Sequence, residues 1–407
     1  MSDGRMGNSS NAARAAALTA RLEALPGARG ARASRPVQLV RAPGRVNLIG
    51  EHTDYNEGLV LPVAIDREVW IAFEPWDRPE VELTSLGFGD TRSFSFEGLS
   101  PETRGAKSWI DYVAATAWAM RDAGLPVRGF RGVMDSTIPI GSGLSSSAAL
   151  EMASSWALAV PGAPRPVAGV MAAIAQRGEN RYVGVNCGIM DQFASAAGRA
   201  GHALLIDCRI NQFKTAPMPA DLSLVVCETG SSRKLEASAY NTRRSECELG
   251  AKLIAEREPG VKSLRDVDEA MLERNRDRLP EVVARRCEHV VREDARVMAT
   301  VAALANGDLA ALGRLFAASH ASLRDLYEVS SAELDAMVDI AVAVPGVVAS
   351  RMTGAGFGGC TVSLVEHGAE EALRDAVLAQ YRRRTGLEPR VYIVAAVDGA
   401  GQVKQDA

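Results

Sequence analysis

Residues 43 to 55 read Pro-Gly-Arg-Val-Asn-Leu-Ile-Gly-Glu-His-Thr-Asp-Tyr, so Arg45, Glu51, His52, Asp54 and Tyr55 crowd into thirteen positions beside Gly44 and Gly50. Val37 to Ile49 alternates loosely between apolar and polar residues, as a half-buried strand does, and Gly50 then breaks the pattern. The chain must therefore deliver a cluster of charged and hydrogen-bonding groups to the end of a strand. Taken alone, such a cluster can be an ordinary solvated junction. Several acceptors beside one imidazole also suit a ligand with many hydroxyls, because each hydroxyl both donates and accepts and every buried partner needs satisfying.

The remaining chain supplies the setting. At 407 residues it exceeds what one hydrophobic core usually organises, so two domains are expected. Short strands alternate with single helices in the first half: strands at Val37 to Leu48, Glu68 to Glu74, Glu80 to Ser85 and Gly129 to Ser136, with helices at Trp109 to Ala123, Ala148 to Ala159 and Pro166 to Tyr182. Strands return at His202 to Asp207 and Asp221 to Glu228. Ala237 to Ala343 reads as mostly helical, and the end reads as strand, helix, strand at Cys360 to Val365, Glu370 to Arg384 and Arg390 to Val397. The class is mixed α/β, with a boundary near residue 210: residues 37–210 form one domain and 211–407 a second.

The first 36 residues hold six arginines, no lysine and only Asp3 and Glu23 as acids. An organellar transit peptide has that bias, but Ala12 to Leu25 reads better as a short amphipathic helix and Pro26 to Pro36 as a linker. A secretory signal is excluded by the lack of an apolar run. A formal net charge of -4 gives no basic surplus for nucleic acid, and the longest apolar runs are too short to span a bilayer. Six cysteines scattered without a CxxC pair read as reduced thiols, which points to the cytoplasm.

Three further strings carry chemistry. Gly141-Ser142-Gly143-Leu144-Ser145-Ser146-Ser147 lies between a strand and an apolar helix. Glycines let backbone N–H groups approach an anion, and a helix start adds free donors, so phosphate is the natural guest. The string is neither a Walker A loop nor a Rossmann fingerprint. An N-capping serine would explain part of it, but three serines exceed one cap. A serine hydroxyl there could ligate Mg²⁺, which favours oxygen donors and keeps phosphate and water around it. Asp191, among Ile189, Met190 and Phe193, is either a helix cap or a carboxylate held for proton transfer with Arg45 as its ionic neighbour. Arg351 to Cys360 carries four glycines in six residues before an alternating strand, more than a simple turn needs.

All four strings, in this order, resemble motifs of the galactokinase family within the GHMP small-molecule kinases. The resemblance implies a two-domain α/β (α+β) GHMP kinase-like fold, with an N-terminal mixed α/β domain, a ferredoxin-like C-terminal α/β domain and an active site between them. It implies ATP-dependent phosphorylation of α-D-galactose at the C1 hydroxyl, the entry step of galactose metabolism. By position it makes Asp191 and Arg45 catalytic and assigns Arg45, Glu51, His52, Asp54, Gly188, Asp191 and Tyr240 to the sugar. Gly141, Ser142, Gly143, Leu144, Ser145, Ser146, Ser147, Trp109 and Ser85 go to ATP, and Ser147 and Glu179 to Mg²⁺. The third motif implies a glycine loop that closes over the pocket and supports the first. Galactose and ATP are the expected partners, without nucleic acid or membrane, and a monomer is the working expectation for a state that the sequence leaves open. A kinase for N-acetylgalactosamine or a pentose would share these motifs, and so would a galactose-sensing regulator without turnover.

Overall fold

The computed structural model describes residues 8–25, 36–103, 107–231 and 236–403. The N-terminal half runs α1 (Asn8–Glu23), β1 (Gln38–Asn47), β2 (Leu59–Val60), β3 (Pro62–Pro75), β4 (Glu80–Ser85), β5 (Asp90–Ser95), α2 (Ile110–Asp122), β6 (Phe130–Ser136), α3 (Ser146–Ala157), α4 (Ala168–Gly178), α5 (Met190–Ala197), β7 (His202–Asp207) and β8 (Gln212–Pro217). The C-terminal half runs β9 (Leu222–Glu228), α6 (Glu236–Ala255), α7 (Glu269–Asn275), α8 (Glu281–Asn306), α9 (Leu309–Asp325), α10 (Ala332–Val342), β10 (Val347–Thr353), β11 (Cys360–Glu366), α11 (Glu370–Thr385), β12 (Arg390–Val394) and β13 (Gly401–Gln402).

Six strands form a mixed sheet in the order β13-β1-β3-β6-β4-β5, in which only β4 and β6 run parallel. One face carries the alanine-rich α2 and α3, whose small residues let the helices sit close against Val46, Ile65, Ile71 and Phe73. The other face is covered in part by α1, which buries Leu18 and Leu22 on Leu39, Trp70 and Val133. Arg14 fixes that helix through Asp135 at 2.9 Å. The expected linker falls almost entirely in residues 26–35, outside the described residues.

The second sheet, β10-β11-β9-β12, is wholly antiparallel and carries α10 and α11 on one face through Met337, Ile340, Leu373 and Tyr381. Numbered within the unit, the order is 2-3-1-4 with helices after its first and third strands, the ferredoxin-like arrangement that the motif resemblance implied. A small third sheet, β2-β7-β8, stands beside the first.

Position 210 lies in the turn of the β7–β8 hairpin, so pairing carries the N-terminal unit on through Pro217. The chain end also returns to it, since β13 pairs with β1 and Ala396 bridges Ile65. We therefore place the division after β8 and assign residues 395–403 to the first unit. Helices α8 and α9 contribute Val297, Leu312 and Phe316 to a core shared by the first and second sheets.

Candidate active site

The first motif leaves the sheet at a bulge. The β1–β3 register shifts between Pro43 and Gly44, and a side chain on Gly44 would meet the Leu144 carbonyl oxygen at 2.4 Å. The missing Cβ lets the strand lie directly on the phosphate-type loop, where the Arg45 N–H donates to that same carbonyl at 3.2 Å. A bulge re-aims the side chain that follows it, and here it is Arg45. Its Nε and Nη2 both lie 2.8 Å from Asp191 Oδ1, and its Nη1 donates to the Gly143 carbonyl at 2.6 Å. Asp191 projects from the first turn of α5, and the Ser145 hydroxyl donates to its other oxygen, Oδ2, at 2.6 Å.

Gly50, at φ 101°, turns the chain into the loop. Asp54 then accepts the Tyr55 N–H at 3.0 Å, and burial, followed by the nearby Asp191 charge, raises its pKa to about 6. A side chain at Gly188 would overlap Asp54 Oδ2 at 1.7 Å, so glycine is required for these two segments to meet. Glu51 is buried, with Oε2 2.5 Å from Arg351 and Oε1 accepting from Gly354 N–H at 3.2 Å. Burial raises its pKa despite Arg351.

His52 lines the same cleft. Its Nδ1 lies 2.9 Å from the Tyr55 hydroxyl and its Nε2 3.2 Å from the Ala355 carbonyl. The carbonyl accepts only, so Nε2 carries the proton and Nδ1 accepts from Tyr55. Burial holds the ring neutral, its pKa lowered to about 3. With both nitrogens engaged inside the protein, His52 forms part of the cleft wall. Tyr240, at the start of α6, stands 5.7 Å from the His52 ring and 5.3 Å from the Tyr55 ring and lines the cleft.

The cleft measures about 500 Å³ and is lined by Arg45, Glu51, Asp54, Gly188, Asp191 and Tyr240 on one side and by Gly141, Gly143, Ser145, Ser146 and Ser147 on the other. Ser147 stands beside Glu179, which accepts from Gln192 Nε2 at 2.5 Å and Cys187 Sγ at 3.3 Å. Glu179 is buried beside partners that carry no positive charge, and burial raises its pKa. A buried carboxylate next to a hydroxyl, opening on a phosphate-type loop, fits the oxygen-donor needs of Mg²⁺. Glu179 is aimed by a single π-helical turn, Glu179–Val183, which continues α4. The expected α-helix through Tyr182 thus ends at Gly178.

Not every loop residue faces the cleft. Ser142 is buried and donates to the Pro139 carbonyl at 2.8 Å, and Leu144 is buried in the core, so both shape the turn. Trp109 and Ser85 lie on a separate ledge. There the Trp109 ring stacks on Phe88 at 6.1 Å, Trp109 Nε1 donates to Asp90 at 2.8 Å, and the Ser85 hydroxyl accepts from Phe88 N–H at 3.2 Å.

Several supporting residues escaped the sequence reading. Gln192 binds both Glu179 and Glu151, whose pKa burial and then Glu179 push well up. Glu151 stands one turn after Ser147 as a lone acid on an apolar helix, a signal that could have marked it. On α8, His289 donates to the Glu51 carbonyl at 3.1 Å and Glu293 accepts from Gly50 N–H at 3.1 Å, while Asp294 accepts from Leu59 N–H at 2.7 Å. The glycine loop 354–359 supports the first motif through Gly354 N–H to Glu51 and the Ala355 carbonyl to His52, and the strand before it adds to this. Thr353 exchanges hydrogen bonds with both backbone groups of Asn47 at 2.9 Å, and Arg351 donates to Leu48.

Comparison with known proteins agrees with this geometry. The sequence matches the models for the GHMP kinases N terminal domain over residues 111–199 and the GHMP kinases C terminal over 300–383. The fold superposes on mevalonate kinase of Methanococcus jannaschii with a TM-score of 0.62 at 18% identity, covering 89% of this chain and 99% of that one. Fold and site thus define a small-molecule kinase of the GHMP class. Within that class, residues 31–75 match the galactokinase galactose-binding signature. Galactokinase of Roseiflexus sp. (strain RS-1) is 44% identical over 372 residues, 91% of this chain and 94% of that protein. Galactokinase of Chloroflexus aurantiacus is 44% identical over 363 residues, 89% of this chain and 93% of that protein. Lactococcus lactis galactokinase, crystallised with galactose, superposes with a TM-score of 0.87 at 32% identity, covering 96% of this chain and all of that one. The chain belongs to the galactokinase family.

Proposed function

We propose that this enzyme transfers the γ-phosphoryl group of ATP to the C1 hydroxyl of α-D-galactose, giving galactose 1-phosphate and ADP. One observation carries the reading beyond family membership: Asp191 is held by Arg45 and Ser145 at the floor of one cleft, between the Asp54–Gly188 wall and the serine loop. That is the place for a group that accepts a hydroxyl proton while a phosphoryl donor lies opposite.

Phosphoryl transfer asks a protein chiefly to position reactants and offset charge. Asp54 accepts from neighbouring ring hydroxyls, the Gly188 backbone approaches the sugar without a side chain in the way, and Tyr240 and the spare lone pairs of Glu51 bound the far end. Asp191 accepts or orients the C1 proton. Arg45 holds Asp191 and, from the same guanidinium, meets charge developing on the transferred group. The backbone of residues 141–147 and the first turn of α3 offer N–H groups to the phosphates. Ser147 and Glu179 would hold Mg²⁺, which when bound supplies neutralisation of phosphate oxygens. The Trp109–Phe88 ledge is the apolar surface offered to the nucleotide base. The sensor reading gains nothing from this arrangement, since binding alone needs neither a tethered Asp191 nor a buried Glu179.

A coupled ADP-release assay with MgATP across galactose, glucose, mannose, N-acetylgalactosamine and arabinose tests the proposal. Galactose should give the highest kcat/KM. No ADP above the sugar-free background with galactose would overturn it.

A further inference from the structure

Ser145 occupies the N-cap position of α3 and does not cap it. Serine at that position ordinarily accepts a hydrogen bond from the first-turn N–H groups, yet its side chain makes no such bond. Its backbone sits at φ 61°, ψ 47°, the left-handed region that a residue with a Cβ adopts at a cost. It is buried, and its hydroxyl points away from the helix to Asp191 Oδ2 at 2.6 Å. The other oxygen, Oδ1, is taken by Arg45, which also grips the carbonyl of Gly143 two residues earlier in the same loop.

These features have one common result. Turning Ser145 into the left-handed region swings its hydroxyl off the helix axis, which leaves the first-turn N–H groups open to an anion and spends the hydroxyl on Asp191. The loop facing the phosphates and the carboxylate facing the sugar are then tied at two points, through Gly143–Arg45–Asp191 and through Ser145–Asp191.

We propose that Ser145 is a positioning residue that locks the Asp191 carboxylate to the phosphate loop, so that proton acceptor and phosphate cradle keep a fixed separation; this rests on the reading of Asp191 as that acceptor. The role differs from the phosphate contact that the motif alone suggests. A carboxylate free to rotate would present either oxygen, or neither, along the line of transfer, and near-attack geometry tolerates little of that.

Glycine is the informative substitution, because it removes the hydroxyl and adopts the same backbone without strain. Ser145→Gly should melt at or above the temperature of the unaltered enzyme. Its kcat for galactose should fall about 10- to 100-fold, the value of one charge-assisted hydrogen bond, with KM for galactose and ATP within about threefold. In an Asp191→Asn background the same change should cost little more, since the two residues act as one unit.

A folded Ser145→Gly enzyme with kcat within about twofold of the unaltered one overturns the tether. So does a loss confined to KM for ATP, which would make Ser145 a phosphate contact only. Asp191→Asn separates the two failures: if it is crippled while Ser145→Gly is fully active, only the tether falls. If Asp191→Asn turns over normally, the proton-acceptor reading falls and the tether with it.

Discussion

Asp191 has both oxygens held within 2.8 Å by Arg45 and Ser145, an outlay of buried donors that a helix cap does not need. Asp191→Asn keeps that shape and removes charge and basicity. Turnover should fall about 10²- to 10⁴-fold, the usual range for a positioned acid or base, with galactose still bound. Equilibrium binding and single-turnover rates check the two halves separately, and near-normal turnover would make Asp191 structural. Asp54 supplies the pH response. Its pKa is raised to about 6 by burial and the nearby Asp191 charge, so below that pH it loses its charge. KM for galactose should climb as pH falls through about 6, and Asp54→Asn should show a high KM without that limb. Stability moves in the opposite sense. Between the ordinary value of 3.8 and about 6 the folded state binds the extra proton, so stability declines as pH rises through that window. Asp54→Asn should therefore raise Tm at alkaline pH and leave it unchanged in strong acid. These residues were legible because a polar string at a strand end is rare. The engagement of both His52 nitrogens was not, since their partners lie at Tyr55 and, about three hundred positions away, at Ala355.

Among the elements, strands β1, β4 and β6 and helices α2 and α3 followed the sequence expectation to within one or two residues. Strand β5 escaped it. Asp-Thr-Arg-Ser-Phe-Ser is largely exposed and polar, so it lacks an apolar period, and its pairing with β4 comes from tertiary context. The first half of β3, Pro62 to Arg67, was hidden for the opposite reason: it is almost wholly buried and so shows little alternation. The π-turn at Glu179 has no sequence signal, yet a single π-turn within a helix often marks a functional position. Here it places a carboxylate against Ser147 and Gln192. Glu179→Gln should raise the Mg²⁺ concentration needed for half-maximal activity and slow turnover, with galactose affinity unchanged in the absence of nucleotide. An amide oxygen is a weaker partner for a hard dication than a carboxylate. An unchanged Mg²⁺ titration would remove Glu179 from the metal site.

At the scale of the molecule, the sugar loop belongs to one half and is gripped by the other. Gly50, Glu51 and Leu59 are all held by α8, and residues 47 to 52 are sewn to 351–355. Glu293 is central: burial opposes its charge, but Arg296, His289 and Arg351 outweigh that and bring its pKa to about 2. Removing one member of such a buried ionic set leaves the others uncompensated, so Glu293→Ala should cost about 3–5 kcal/mol of unfolding free energy. Urea denaturation measures it, and a loss under about 1 kcal/mol would show that the halves do not depend on this joint. Among the described residues no helix is long and apolar enough to cross a membrane. All six cysteines are free thiols, as their scatter predicted. Phosphorus NMR of the enzyme with MgATP and galactose shows whether this cleft brings the C1 hydroxyl of galactose to the γ-phosphate of ATP. The γ-phosphate signal should disappear as a phosphomonoester coupled to the anomeric proton of α-galactose grows. A phosphoester at C6, or ATP left intact beside galactose, would contradict it.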